Sequence, residues 1–146
     1  MKKLLIAAII GCVWLQAQAA ELNWGTDAPA AQAQAKADKK IVLLNFTGSD
    51  WCGWCMKLDK EVFSTPEFAK FAKDNVVLVK VDFPRHKQLS SEQKAANQAL
   101  QTKYNIQGYP TIIVLNGEGK KIGELGYMEG GPTAFIAELN KLKGKS

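Results

Sequence analysis

The chain has 146 residues, 47% of them hydrophobic, and a net charge of +5, which suits one globular domain. Its lysines are scattered, at Lys39-Lys40, Lys120-Lys121 and Lys141 to Lys145, with no basic block interleaved with aromatics, so no nucleic-acid partner is expected. After the first nineteen residues no apolar run approaches the roughly 20 residues that a membrane-spanning helix needs.

Met1 is followed by Lys2 and Lys3, then by the apolar run LLIAAIIGCVWL, then by Ala17-Gln18-Ala19. A positive head, a short apolar stretch and an Ala-x-Ala site together predict a secretory signal peptide over residues 1–19, with one domain over 20–146. A rival reading takes Ile9-Ile10-Gly11-Cys12 as a lipoprotein box that leaves a lipidated Cys12. It fits less well, because the apolar run continues past Cys12 and the Ala-x-Ala site follows. Removing residues 1–19 from 146 leaves 127. With Lys2 and Lys3 gone the charge falls from +5 to +3, and with Cys12 gone two cysteines remain. The expected mature protein is monomeric and sits in the periplasm or is secreted, in an oxidising compartment.

Thr26 and Asp27 can cap a first helix with Pro29 in its first turn, running through AAQAQAKADKK. IVLLNF (41–46) reads as a strand buried on both faces. A helix is expected to start at the cysteines of GSDWCGWCMK (48–57) and to carry Leu58, Val62 and Phe63 inward. Ser64-Thr65-Pro66 restarts a helix with Phe68, Phe71 and Ala72 on one face. VVLVKVDF (76–83) is the next strand. Ser90-Ser91-Glu92-Gln93 resembles a capping box that opens a helix to about Tyr104. TIIVL (111–115), the turn NGEG and KKIGELGY form a hairpin. Pro132 starts the last helix, with Phe135, Ile136, Leu139 and Leu142 facing the core.

Cys52 and Cys55 could bind a metal, staple the chain or form a redox couple. A structural zinc site wants four ligands, and the only histidine, His86, lies in the polar loop PRHKQ and reads as solvated. Copper(I) suits thiolates, yet nothing rich in Met or His accompanies the pair. No metal or other cofactor is therefore expected. As a staple the pair would constrain little, since the ring it closes is very short. The redox reading has a mechanism: free N–H groups at a helix start stabilise a thiolate and lower the pKa of the first cysteine. On this reading Cys52 attacks, and Cys55, one turn later on the same face, resolves the mixed disulfide.

Trp51-Cys52-Gly53-Trp54-Cys55 after strand IVLLNF, with Gly108-Tyr109-Pro110-Thr111 before strand TIIVL, resembles the thioredoxin superfamily, in particular secreted bacterial thioredoxin-like proteins. The resemblance covers roughly residues 22–142. It implies an α/β thioredoxin fold, a central mixed sheet with helices on both faces, and thiol–disulfide oxidoreductase activity. It further implies a cis Pro110 beside the cysteine pair and a Tyr109 backbone that pairs with an extended substrate chain. Trp54, between the cysteines, is expected to be partly exposed and to touch substrate. Trp51 is expected to pack beneath the motif, and Trp24 to plug the core.

Three features depart from the family pattern. Asn45 stands where thioredoxins usually carry a buried acid. Gly53-Trp54 replaces Gly-Pro. The 26 residues between Phe83 and Pro110 exceed the usual length, so residues 84–100 read as an inserted loop and a packed surface helix. The expected activity is reduction or isomerisation of disulfides in cysteine-containing proteins, with a membrane-embedded thiol donor as regenerating partner. The alternative is a non-catalytic thioredoxin-fold protein that binds a metal or a partner.

Overall fold

A computed structural model describes residues 21–145. The expected signal peptide, with Cys12, lies outside these residues. Among them no helix is long and apolar enough to cross a membrane.

The elements run β1 (Trp24–Gly25), α1 (Ala28–Asp38), β2 (Ile41–Thr47), α2 (Gly53–Leu58), a π-helical turn (Asp59–Phe63), α3 (Pro66–Asn75), β3 (Val76–Asp82), α4 (Ser91–Lys103), β4 (Thr111–Leu115), β5 (Lys121–Leu125) and α5 (Gly131–Lys143). Local chemistry sets the helix starts. The Asp27 carboxylate accepts from the Ala30 amide, Thr65 Oγ1 from Phe68, and Ser90 Oγ from Gln93, each relieving one unpaired N–H of a first turn. The capping box at Ser90 is only half made. The Gln93 side chain turns instead to the Thr26 carbonyl and to Asn97 Oδ1.

The sheet order is β1-β3-β2-β4-β5. β1, β3 and β2 run parallel, while β4 and β5 are antiparallel additions. The two-residue β1 was not expected from sequence. Trp24 pairs with Leu78 and Gly25 with Val79, and such a strand exists only through its partner. The Trp24 ring packs edge-on against Phe63 at 5.2 Å and caps the rim of the core, with the Lys80 ammonium 5.9 Å from its centroid.

Side-chain alternation along β2 divides the core into two layers. Ile41 and Leu43 face Leu58, Val62, Phe63, Phe68, Ala72, Phe135 and Leu139, supplied by α2, the π turn, α3 and α5. Val42, Leu44 and Phe46 face Ala31 and Ala35 of α1, with Leu100 and Tyr104 from α4 and its end. All seven residues of β2 are buried, as its apolar residues at 41–44 and 46 favour, and the polar Asn45 and Thr47 are buried with them. The helix after the cysteines does carry Leu58, Val62 and Phe63 inward, but it widens into π geometry at Asp59. Gly123 of β5 lies directly beneath Leu142, and any side chain there would overlap it. α5 can therefore lie close on the sheet.

Candidate functional site

The loop after β2 delivers Cys52 to the start of α2. Cys52 and Cys55 are joined as a disulfide with Cα atoms 5.2 Å apart. Cys52 is the N-cap residue, in extended conformation, and its Sγ accepts from the Cys55 amide at 3.3 Å. The sulfur that would carry thiolate charge therefore already occupies the anion position of a helix start. Both cysteines are almost fully buried, so only a partner that fits closely can reach the sulfur. Among the described residues, no three His, Cys, Asp or Glu side chains converge as a metal site.

Trp54 is 59% exposed yet fixed. Tyr127 packs against its ring at 5.0 Å, and the Lys57 ammonium sits 5.9 Å from the Trp54 centroid and 5.4 Å from that of Tyr127. Glu61 ties the group together, accepting from Tyr127 Oη at 2.6 Å and pairing with Lys57 at 3.1 Å. The hydrogen bond from Tyr127 holds the Glu61 carboxyl below its usual range, and Glu61 in turn raises Lys57. Lys57 is not a free surface charge, because a carboxylate and two ring faces hold it.

The Tyr109–Pro110 peptide bond is cis, as the resemblance implied. The Tyr109 ring lies edge-on to Trp51 at 6.0 Å and tilted on Phe83 at 5.4 Å, while its Oη accepts from Gln101 Nε2 at 2.6 Å. Burial raises the Tyr109 pKa. Trp51 donates from Nε1 to the Phe83 carbonyl at 2.8 Å. Its indole lies so tightly over Gly48 that a side chain there would overlap the ring.

The segment after Phe83 is bolted to the motif, which sequence reading missed. The Asp50 carboxylate accepts from the Arg85 and His86 amides at 2.9 and 2.8 Å, and the Arg85 bond is the main reason its pKa is lowered. Arg85 lays its guanidinium on the Trp51 ring, 3.8 Å from the centroid. Asp82, ending β3, accepts from the Ser49 amide and hydroxyl at 3.0 and 2.6 Å and pairs with Lys87 at 2.9 Å. Burial opposes ionisation of Asp82, but Ser49 and Lys87 outweigh it and the pKa is lowered. Asn97 of α4, also buried, donates to the Asp82 carbonyl at 2.8 Å. An aspartate closing the apolar run VVLVKVD was the available signal for this anchor. His86 is an exposed loop residue whose backbone, not its ring, is used.

Asn45 is buried on the face of β2 that packs under Leu58, and its Oδ1 has no hydrogen-bond partner. An amide there accepts no proton, so no carboxylate at this position could deprotonate a thiol.

The lowered carboxyls of Asp50 and Asp82 favour the folded loop while ionised. Their contribution is fully present above the ordinary aspartate value of about 3.9 and is lost as pH falls through the lower folded-state values. The Ser49, Arg85 and His86 amide resonances are accordingly expected to titrate with midpoints below about 3.9. A midpoint at or above that value would contradict the bonding described.

Residues 28–143 match the family described as a thioredoxin-like domain. The chain is 36% identical over 121 residues to the disulfide bond reductase DsbH of Chlamydia pneumoniae, covering 83% of this chain and 72% of that protein. It is 36% identical over 116 residues to the thiol:disulfide interchange protein DsbD of Cronobacter sakazakii, covering 77% of this chain but only 18% of that protein. The solved structure of a DsbH oxidoreductase superposes with a TM-score of 0.81 at 34% identity, covering 86% of each chain.

Proposed function

The chain belongs to the thioredoxin-like family and is a thiol–disulfide oxidoreductase; from that premise we propose that it reduces disulfides of proteins outside the cytosol, with Cys52 as nucleophile and Cys55 as resolving thiol. The observation that carries this is Cys52 Sγ at the helix N-cap, taking the Cys55 N–H. In the reduced protein the Cys52 thiolate attacks one sulfur of a substrate disulfide. A Cys52–substrate bond forms, the substrate S–S bond breaks, and the departing thiolate takes up a proton. Cys55, once deprotonated, attacks Cys52 Sγ, releases the second substrate thiol and leaves the Cys52–Cys55 disulfide. Two electrons have passed to the substrate. A thiol donor in the membrane returns them, and the signal-peptide pattern of residues 1–19 supports placing this cycle in the periplasm or beyond.

Trp54 gives the substrate a rigid aromatic platform on one side of the disulfide. Tyr109 and cis-Pro110 border the other, where an extended substrate chain would align. Turnover of insulin in the presence of dithiothreitol tests the activity, and its persistence in Cys52→Ser would sink the assignment.

The direction follows from the charges at the nucleophile. Gly53 and Trp54 bring none, and the guanidinium of Arg85 on Trp51 is solvent-exposed, so its charge is screened. The strongest oxidants, near roughly −120 mV, stabilise their thiolate heavily. Nothing so one-sided surrounds Cys52, so equilibration against glutathione is expected to give a potential below about −200 mV. A value above about −150 mV would overturn the reductase direction and spare the catalytic pair.

A further inference from the structure

We propose that Arg85 is a specificity residue that receives a carboxylate of the polypeptide being reduced, so that disulfides flanked by Asp or Glu are preferred substrates. The proposal rests on the placement of substrate beside Cys52 given above.

Cations near the motif differ in what holds them. Lys57 is paired with Glu61 and Lys87 with Asp82, while the Lys94 ammonium meets Gln88 Oε1. Among the described residues, no carboxylate or other acceptor is bonded to the Arg85 guanidinium. That group is nevertheless held in place. Its backbone is pinned by the Asp50 carboxylate, and its central carbon sits 3.8 Å from the ring centroid of Trp51, the residue before the nucleophile, the contact distance of a stacked guanidinium. A guanidinium stacked by its face keeps its N–H edge free, and that edge matches the two oxygens of a carboxylate. Asp50 does not supply them: its oxygens face the Arg85 and His86 amides, and neither is bonded to the guanidinium.

The surroundings agree in sign. A cleft of 310 Å³ beside Arg85 is also lined by Lys87 and Lys94, with Asp82 the acid facing them. Trp51 meets Tyr109 edge-on, so Arg85, Trp51 and Tyr109 form one continuous flank. A polypeptide whose cysteine meets Cys52 and whose backbone passes Tyr109 carries its neighbouring side chains over Trp51. A carboxylate one or two residues from that cysteine then comes within reach of the waiting fork. Ordering cost is small, because the guanidinium is already in place.

The test uses the full mature chain and three disulfide peptides that differ only in the residue next to the cysteine: Glu, Gln or Lys. At low salt the wild type is expected to reduce the Glu peptide with kcat/KM roughly three- to tenfold above the Gln peptide, with the Lys peptide slowest. The ratio should shrink as salt is added. In Arg85→Gln the Glu-to-Gln ratio should fall to about one, and in Arg85→Lys, which keeps the charge but not the fork, it should lie between. Using the ratio within each variant cancels any general loss from a shifted Trp51. Equal wild-type rates for the three peptides, or a preference that survives Arg85→Gln, would overturn the proposal alone. Failure to reduce any of them would remove the oxidoreductase reading and this proposal together. Oxidised glutathione separates the two sources of a carboxylate: an effect of Arg85→Gln confined to it would overturn the polypeptide assignment.

Discussion

Cys52→Ser is expected to abolish disulfide reduction, lowering turnover on the order of a thousandfold or more, as loss of an attacking nucleophile does. Cys55→Ser is expected to stop turnover as well, but at a different point. It leaves Cys52 able to attack and unable to be released, so mixed disulfides with client proteins should accumulate in an extract of envelope proteins. The asymmetry comes from the helix start. Cys52 Sγ lies at the N-cap and accepts an N–H, which favours its thiolate, while Cys55 lies within the first turn of α2 and is itself the donor of that N–H. Cys52→Ser should therefore trap little. Non-reducing electrophoresis of the two variants reads the difference, and equal trapping by both would contradict the division of roles.

Phe135→Ala is expected to be the most damaging core change, at about 3–5 kcal/mol. The ring is fully buried and stands between Phe63 at 5.5 Å and Phe68 at 6.1 Å, edge-on to the first. It joins α5 to α3 and to the π turn that continues the catalytic helix, so collapse around the cavity would need three elements to move together. Against a total stability of about 5–15 kcal/mol this is a large fraction, and it corresponds to a fall in Tm of roughly 10–20 °C. Thermal unfolding followed by circular dichroism measures it. A fall of only two or three degrees would mean that the aromatic cluster is not the keystone between helices and sheet.

The two predictions depend on different reaches of information along the chain. The Cys52–Cys55 disulfide was legible because its geometry is local: the two cysteines are one helical turn apart, just after a strand, and both facts can be read within fifteen residues. The buried strands were legible too, because burial on both faces demands an unbroken apolar run. Helix starts were announced by Asp27, Thr65 and Ser90, whose side chains bond amides only three residues away. The cis bond at Pro110 was legible only through resemblance to a family, since proline alone favours trans.

Tertiary structure decided what depends on residues far apart in sequence. Trp54 was visible as an aromatic between cysteines, but its clamping by Tyr127, and the capture of Lys57 through Glu61, required β5 to end beside the catalytic helix. β1 exists only because β3 offers it an edge. Arg85 drew no reading of its own within the polar loop PRHKQ. It became a fixed group on the ring of Trp51, next in sequence to Cys52, because Asp50, 35 residues earlier, binds the loop amides and Trp51 offers a ring face. Sequence by itself determined the elements and the redox pair, since hydrophobic periodicity, caps and a helical turn act over a few residues. Folding determined which charges surround that pair and which are spent on partners, because electrostatics and stacking act through space, and spatial neighbours are set by the packing of the whole chain.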